Sequence, residues 1–407
     1  YPQAPIECDM FMKLPHGIVT KHGDAKDHVL KLVNNLYGQK QAGRVWNHYL
    51  VMHLLKIGFI QSKIDECVFY RNMVIFIVYV DDGIFAAIVD SDIDEAIKDL
   101  TNAGLDLEDQ GSPADYIGVN INRINKNTFE LTQPALARAI VADVGIGPRT
   151  PSKPVPASPT KMLHPFLESP PFDEHFSYRS VVGKLNYIAQ CTKPELMYSV
   201  HSCARFSSNP RQEHGEALEY IAKYLKDHVD DGIQLTPVRN QGFHVYCDAD
   251  FAGNWNRQYA MTDPATAKSR SGWIISYANC PIVWASKLQT QVALSTTEAE
   301  YIALSQSLRD TIPLMELVNE LHSFGFEVWE DAPQVHCKAF EDNSGALELA
   351  KIPKMRPLTK HINVCYHHFR EAARQGKITF VHEPIETQRA TTSPSPYRRM
   401  RLCDNAL

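Results

Sequence analysis

Apolar residues run almost unbroken through "MVIFIVYV" (residues 73–80) and again through "GIFAAIV" (83–89), with Asp81 and Asp82 between the two runs. Short apolar runs bounded by a turn signal predict two strands of a hairpin with the aspartates at its tip. "SDIDEAIKDL" follows, and Ser91 and Asp94 stand at capping-box spacing, which predicts a helix start. Further on, Leu218, Ile221, Ala222 and Leu225 in "ALEYIAKYL" recur at helical spacing inside a helical stretch expected over 178–231. From about residue 242 the pattern changes. "GFHVYCDAD", "SGWIISY" and "PIVWASK" read as strands and "STTEAEYIALSQSLRD" as a helix. "QVHCKAF" is a strand, residues 366–375 a helix and "KITFVHE" a last strand. Three strands followed by helix and strand in alternation predict an α/β sheet of mixed direction.

Prolines crowd residues 145–174, removing backbone donors and disfavouring helix, so a linker is expected there. The division expected is 1–142, a linker over 143–177, a helical part over 178–238, an α/β domain over 239–390 and an aberrant tail over 391–407. A chain of 407 residues is long enough for two or three cores. Its net charge of −6 leaves no global pull toward nucleic acid, so such binding must rest on local basic patches. Nine cysteines, scattered and without Cys-x-x-Cys, argue against a zinc ribbon and a disulfide framework and suit a reducing compartment. No signal peptide or bilayer-length apolar run is visible. Opening at "YPQAPIEC" without methionine, the chain reads as a fragment.

Candidate chemistry lies in the acids. Adjacent aspartates on a tight hairpin can aim at one small volume and clamp a divalent ion, or they are Asp-Gly turn chemistry. A pair of carboxylates at the mouth of a core also asks for a positive partner. Asp248 and Asp250 share a strand face, Glu298 and Glu300 open one helix, and Asp342 follows a strand. Two-metal cleavage of a phosphodiester needs three or four such acids from separate elements. Ser295 and Glu298 have capping-box spacing, which gives Glu298 a structural role and leaves Glu300 for metal. Asp250 stays in reserve as a turn carboxylate. Lys354, Arg356, Lys360 and His361 stand before a helix, as phosphate contacts or as a solvated charge run. His361, His367 and His368 lack a zinc-ligand spacing.

In this context the quoted blocks carry a resemblance. Tyr79-Val80-Asp81-Asp82, "LYGQKQAGRVW" (36–46), "DECVFY" (65–70), "YIGVNINR" (116–123) and "YRSVVGKLNYIAQCTKPELMYSV" (178–200) resemble, in order, the reverse transcriptase of copia-type LTR retrotransposons. "YCDADFAG", "SRSGWIISYANCPIVWASKLQTQVALSTTEAEYIAL" and "EDNSGAL" resemble the ribonuclease H domain fused to it. The resemblance implies an α+β polymerase palm with a helical thumb or connection, then an α/β ribonuclease H-like domain with a mixed sheet. It makes Asp81 a metal ligand with Asp82 beside it, and Asp248, Glu300 and Asp342 the ligands of the second site. Each site would take two Mg²⁺ or Mn²⁺ ions. Gly38 and Gln41 would lie near template and incoming nucleotide, with Lys40 and Arg44 as phosphate contacts or a solvated helix face. Implied partners are an RNA template, a DNA primer, deoxynucleotides and an RNA–DNA hybrid, without a membrane, in a cytoplasmic particle or the nucleus.

Two departures from the family stand out. Tyr1 aligns with the aromatic that crowds the sugar 2′ position, so the partner aspartate falls before residue 1, and this chain is not expected to polymerise. Thr391 stands where the family has its fourth nuclease acid. Another reading frame can restore an Asp-Asn-Phe-Thr-Lys-Pro run, so a frameshift near residue 389 is expected. The sequence therefore leaves open an RNA-directed DNA polymerase with ribonuclease H, a nuclease alone, and a non-catalytic nucleic-acid-binding remnant.

Overall fold

The structure, a computed structural model, describes residues 2–18, 27–158, 161–328, 335–351 and 364–384. Tyr1, Lys354, Arg356, Lys360, His361 and the tail from Thr391 lie outside the described residues. The chain forms two compact units, Tyr1–Pro113 with Glu320–Glu327, and Ala114–Asn319 with Val328–Leu407.

The first unit contains β1 (Phe11–Lys13), β2 (Val29–Lys31), α1 (Ala42–Lys56), β3 (Ile60–Gln61), β4 (Val68–Arg71), β5 (Val74–Tyr79), β6 (Asp82–Ala87) and α2 (Asp90–Ala103). Strands β3-β4-β5-β6 form an antiparallel sheet in that order. Period two decides its faces: Val74, Phe76 and Val78 are buried, whereas Ile77 and Tyr79 are exposed. The buried face meets Val45, Trp46, Leu50 and Leu54 of α1 and Ala96 and Leu100 of α2. Phe76 stacks on Phe85 with centroids 4.3 Å apart. A Cβ at Gly83 would fall 2.4 Å from the Phe76 ring, so only glycine fits in that strand position. Helix α2 begins at Asp90 behind Val89, which makes no side-chain cap. The expected box at Ser91 and Asp94 is therefore absent, because the helix starts two residues earlier and carries both inside its first turns. Gly104, at φ 106°, ends it in a left-handed cap.

In the second unit, β7 (Asp115–Tyr116), β8 (Val119–Asn125), β9 (Thr128–Thr132) and α3 (Pro134–Asp143) precede α4 (Tyr178–Cys191), α5 (Met197–Ala204), α6 (Gln212–Leu225) and β10 (Ile233–Leu235). Strand β10 returns to pair with β9, giving an antiparallel sheet β10-β9-β8-β7. That pairing draws residues 114–142 into the second unit, so the division falls at Pro113 and not at 142. The helical spacing in "ALEYIAKYL" is realised in α6, where Leu218, Ile221, Ala222 and Leu225 are all buried against α3, α4 and α5. Much of the proline-rich segment is a strap on this core and not a free linker: Phe172 and Phe176 are buried in it.

The unit continues with β11 (Phe243–Asp250), β12 (Arg270–Tyr277), β13 (Cys280–Leu288), α7 (Thr296–Ser323), β14 (Cys337–Glu341), α8 (Ser344–Lys351), α9 (Arg370–Arg374) and β15 (Ile378–His382). The five strands form one sheet in the order β13-β12-β11-β14-β15. β11 pairs antiparallel with β12 and parallel with β14, which pairs parallel with β15. The mixed direction expected from sequence is thus present. Phe243, Val245 and Cys247 on β11 and Trp273 and Ile275 on β12 bury one face with Tyr301, Leu304 and Leu308 of α7. On β13, the Trp284 indole N–H donates to the Ala189 carbonyl of α4 at 2.8 Å, tying the sheet to the helical layer. Among the described residues no helix is long and apolar enough to cross a membrane.

Candidate functional site

Three elements of the five-stranded domain each deliver one acid to one place. Asp248 sits near the end of β11, Glu300 in the first turns of α7, and Asp342 directly after β14, which lies beside β11. One carboxylate oxygen from each falls within 4.8 Å of the others. Among the described residues this is the one group of three or more His, Cys, Asp or Glu side chains so gathered.

Electrostatics make the gathering costly without a counter-charge. Glu300 is 8% exposed, and burial pushes its carboxyl up to about 11, with Glu341, Asp248 and Asp342 adding repulsion. The Ala249 backbone N–H supports its ionised form, yet Glu300 Oε2 is buried with no hydrogen-bond partner. An orphaned oxygen among three hard anionic donors fits a divalent cation such as Mg²⁺ or Mn²⁺.

Other acids named from the sequence do different things. Glu298 caps its helix: its backbone N–H donates to Ser295 Oγ at 3.1 Å, and its carboxylate accepts from the Leu294 N–H at 2.7 Å. Asp250 is turned onto the loop that follows it, where a Cβ on Gly253 would meet its carboxylate at 1.9 Å. Burial pushes its carboxyl up while the buried Arg270 guanidinium opposes that rise. His367 and His368 each bond a hydroxyl of α7, Tyr301 Oη at 2.6 Å and Ser305 Oγ at 3.5 Å.

Sequence reading passed over Glu341. It is fully buried, its Oε2 accepts from the Cys247 thiol at 3.2 Å, and its Oε1 accepts from the Asn343 N–H at 3.1 Å. The signal was available in the alternation of "CKAFE", since Cys337, Ala339 and Glu341 all face inward.

The Asp81 hairpin is built differently from expectation. Its turn is Val80-Asp81, and Asp82 already belongs to β6, paired with Tyr79. Val80 holds φ 60°, a left-handed conformation that is unusual for a β-branched residue. Trp46 Nε1 donates to the Val80 carbonyl at 2.7 Å, and Tyr37 Oη donates to Asp81 Oδ2 at 2.5 Å. Both aspartates are exposed, so burial does not demand a cation opposite them. The segment "LYGQKQAGRVW" therefore grips the hairpin from both of its ends, a relation no spacing in the sequence reveals. Within that segment Gly38 turns at φ 89°, and Gln41 precedes α1 with its amide 3.0 Å from Met10 Sδ. Lys40 is exposed, and Arg44 pairs with Glu7 at 3.2 Å.

Comparison with known proteins finds similarity over nearly the whole length. Residues 1–157 match the family described as reverse transcriptase (RNA-dependent DNA polymerase). Over 403 residues the chain is 30% identical to the Retrovirus-related Pol polyprotein from transposon RE2 of Arabidopsis thaliana, covering 98% of this chain and 26% of that one. The Pol polyprotein from transposon TNT 1-94 of Nicotiana tabacum is 30% identical over 379 residues, covering 90% of this chain and 27% of that one. Over nearly its whole length the chain is similar to copia-type retrotransposon Pol polyproteins. It spans about a quarter of the length of these Pol relatives. Among solved structures, an RNase H domain from Mycobacterium tuberculosis pairs with 37% of this chain at 13% identity and a TM-score of 0.23, covering 86% of that structure.

Proposed function

We propose that this chain is part of an RNA-directed DNA polymerase, its first unit carrying the palm, and that its five-stranded domain removes RNA from RNA–DNA hybrids. In this reading the β3–β6 sheet is the polymerase palm, α4–α6 the thumb or connection, and the sheet around β11 a ribonuclease H-like domain. The observation that carries it is the convergence of Asp248, Glu300 and Asp342 from three elements, with a buried Glu300 oxygen left unpaired.

Asp248, Glu300 and Asp342 would hold the metal. Two Mg²⁺ or Mn²⁺ ions bound there supply Lewis-acid stabilisation of the phosphodiester oxygens and a more acidic water. The protein's share is to fix the three carboxylates and keep Glu300 out of bulk water, where its charge acts strongly on whatever neutralises it. In the first unit, Tyr37 and Trp46 hold the Asp81 hairpin in one conformation, with Asp81 and Asp82 open to a metal-bound nucleotide and primer. The setting is a cytoplasmic retrotransposon particle, with RNA template, DNA primer and deoxynucleotides as partners.

A labelled RNA–DNA hybrid incubated with the purified chain and Mn²⁺ tests the nuclease reading. Cleavage of the RNA strand, abolished by Asp248→Asn, is the expected result. Hybrid binding that falls steeply with salt but never leads to cleavage would instead mark a non-catalytic nucleic-acid-binding chain.

A further inference from the structure

Behind the three carboxylates runs a chain of hydrogen bonds that touches each element carrying one of them. The Cys247 thiol on β11 donates to Glu341 on β14 at 3.2 Å. Glu341 accepts from the Asn343 backbone at 3.1 Å, and Thr297 Oγ1 of α7 reaches Asn343 Oδ1 at 3.4 Å. Asn343 Oδ1 also accepts from the Ala346 N–H at 3.0 Å, fixing the start of α8. Every member is a near neighbour of an acid: Cys247 adjoins Asp248, Glu341 and Asn343 flank Asp342, and Thr297 lies one turn before Glu300.

Stability alone does not account for Glu341. It is 0% exposed on a strand face it shares with Cys337 and Ala339, in a core where an apolar residue of equal size is usually no worse. Nor do its oxygens join the gathered three, since both are engaged with Cys247 and Asn343. We propose that Glu341 is a positioning residue, the centre of a Cys247–Glu341–Asn343–Thr297 relay that sets the spacing of Asp248, Glu300 and Asp342 for a divalent cation. The assignment rests on the metal-binding reading above. Parallel pairing of β11 with β14 ends at Tyr246 and Phe340, so the relay takes over where the ladder stops, one residue before each strand's acid.

Mn²⁺ titration of the full chain without nucleic acid, by calorimetry and electron paramagnetic resonance, tests it alongside urea unfolding. Glu341→Leu is expected to lose about tenfold or more in Mn²⁺ affinity while unfolding at equal or higher urea. Glu341→Gln, which keeps an acceptor for Asn343 and a donor toward the Cys247 sulfur, is expected to stay within about threefold of the parent. A Glu341→Leu variant that binds Mn²⁺ like the parent overturns the proposal, as does a loss of affinity that merely follows a loss of fold. Should the parent itself bind no Mn²⁺, the functional reading fails and amide exchange decides the relay. Faster exchange at Asn343 in Glu341→Leu, with Val245 unchanged, supports it; unchanged Asn343 exchange overturns it.

Discussion

Replacing Glu300 by glutamine should stabilise the metal-free protein, and only above the pH at which an ordinary glutamate ionises. In the unfolded chain this carboxyl loses its proton near pH ~4.3. In the folded chain burial and the neighbouring acids hold it protonated up to about 11. Below the lower value both states are neutral and nothing is lost. Above it the unfolded state gains by ionising while the folded state does not, so folding loses about 1.4 kcal/mol per pH unit. At pH 7 the ceiling is therefore about 4 kcal/mol; part of it is shared with Glu341, whose carboxyl burial pushes up to about 8. Glutamine has the same shape and no proton to hold, so the variant escapes the penalty. Urea unfolding in EDTA at pH 4, 5.5 and 7 should show a difference from the parent near zero at the lowest pH. At pH 7 it should reach about 1–3 kcal/mol in favour of the variant. Added Mn²⁺ should raise the parent and narrow the gap, because it binds only the folded carboxylates. A variant no more stable than the parent at pH 7, or a difference that ignores pH, would refute the electrostatic reasoning.

Gly83→Ala should cost about 1–3 kcal/mol, since its Cβ would strike the Phe76 ring where that ring stacks on Phe85; thermal unfolding of the first unit reads it, and a neutral substitution contradicts the packing described. Val80→Gly should instead stabilise by about 1 kcal/mol by relieving a left-handed β-branched residue at the hairpin turn, and a loss on chemical denaturation would show that the valine side chain matters more than its backbone. Glu298→Ala should lower stability by about 1 kcal/mol through the lost helix cap and leave Mn²⁺ binding intact, so a fall in metal affinity would mean that the two glutamates of α7 were assigned the wrong way round.

What the sequence made legible depended on whether the deciding contact was local. Short apolar runs placed β5 and β12, and the period of three to four placed α6, whose one buried face is enough to specify it. The capping role of Glu298 was readable for the same reason: its partners lie within four residues. The box at Ser91 was not realised because the chain turns into helix at Asp90, ahead of the residue whose side chain would have capped it. Long-range facts stayed hidden. Nothing near Tyr37 or Trp46 announces that both reach the Asp81 hairpin, and nothing near residue 130 announces a partner strand at 233–235. Glu341 was missed because an ionisable residue is not expected at an inward strand position, although the alternation of Cys337 and Ala339 puts it there.

The pairing of Ile233 with Leu131 has a consequence for how the molecule comes together. It closes a loop of about a hundred residues that contains the entire helical layer, and closure entropy grows only with the logarithm of that length. Short strands of this kind have little to hold them until α3, α4 and α6 have already docked, so the β9–β10 seam should be sewn after the helices and report their completion.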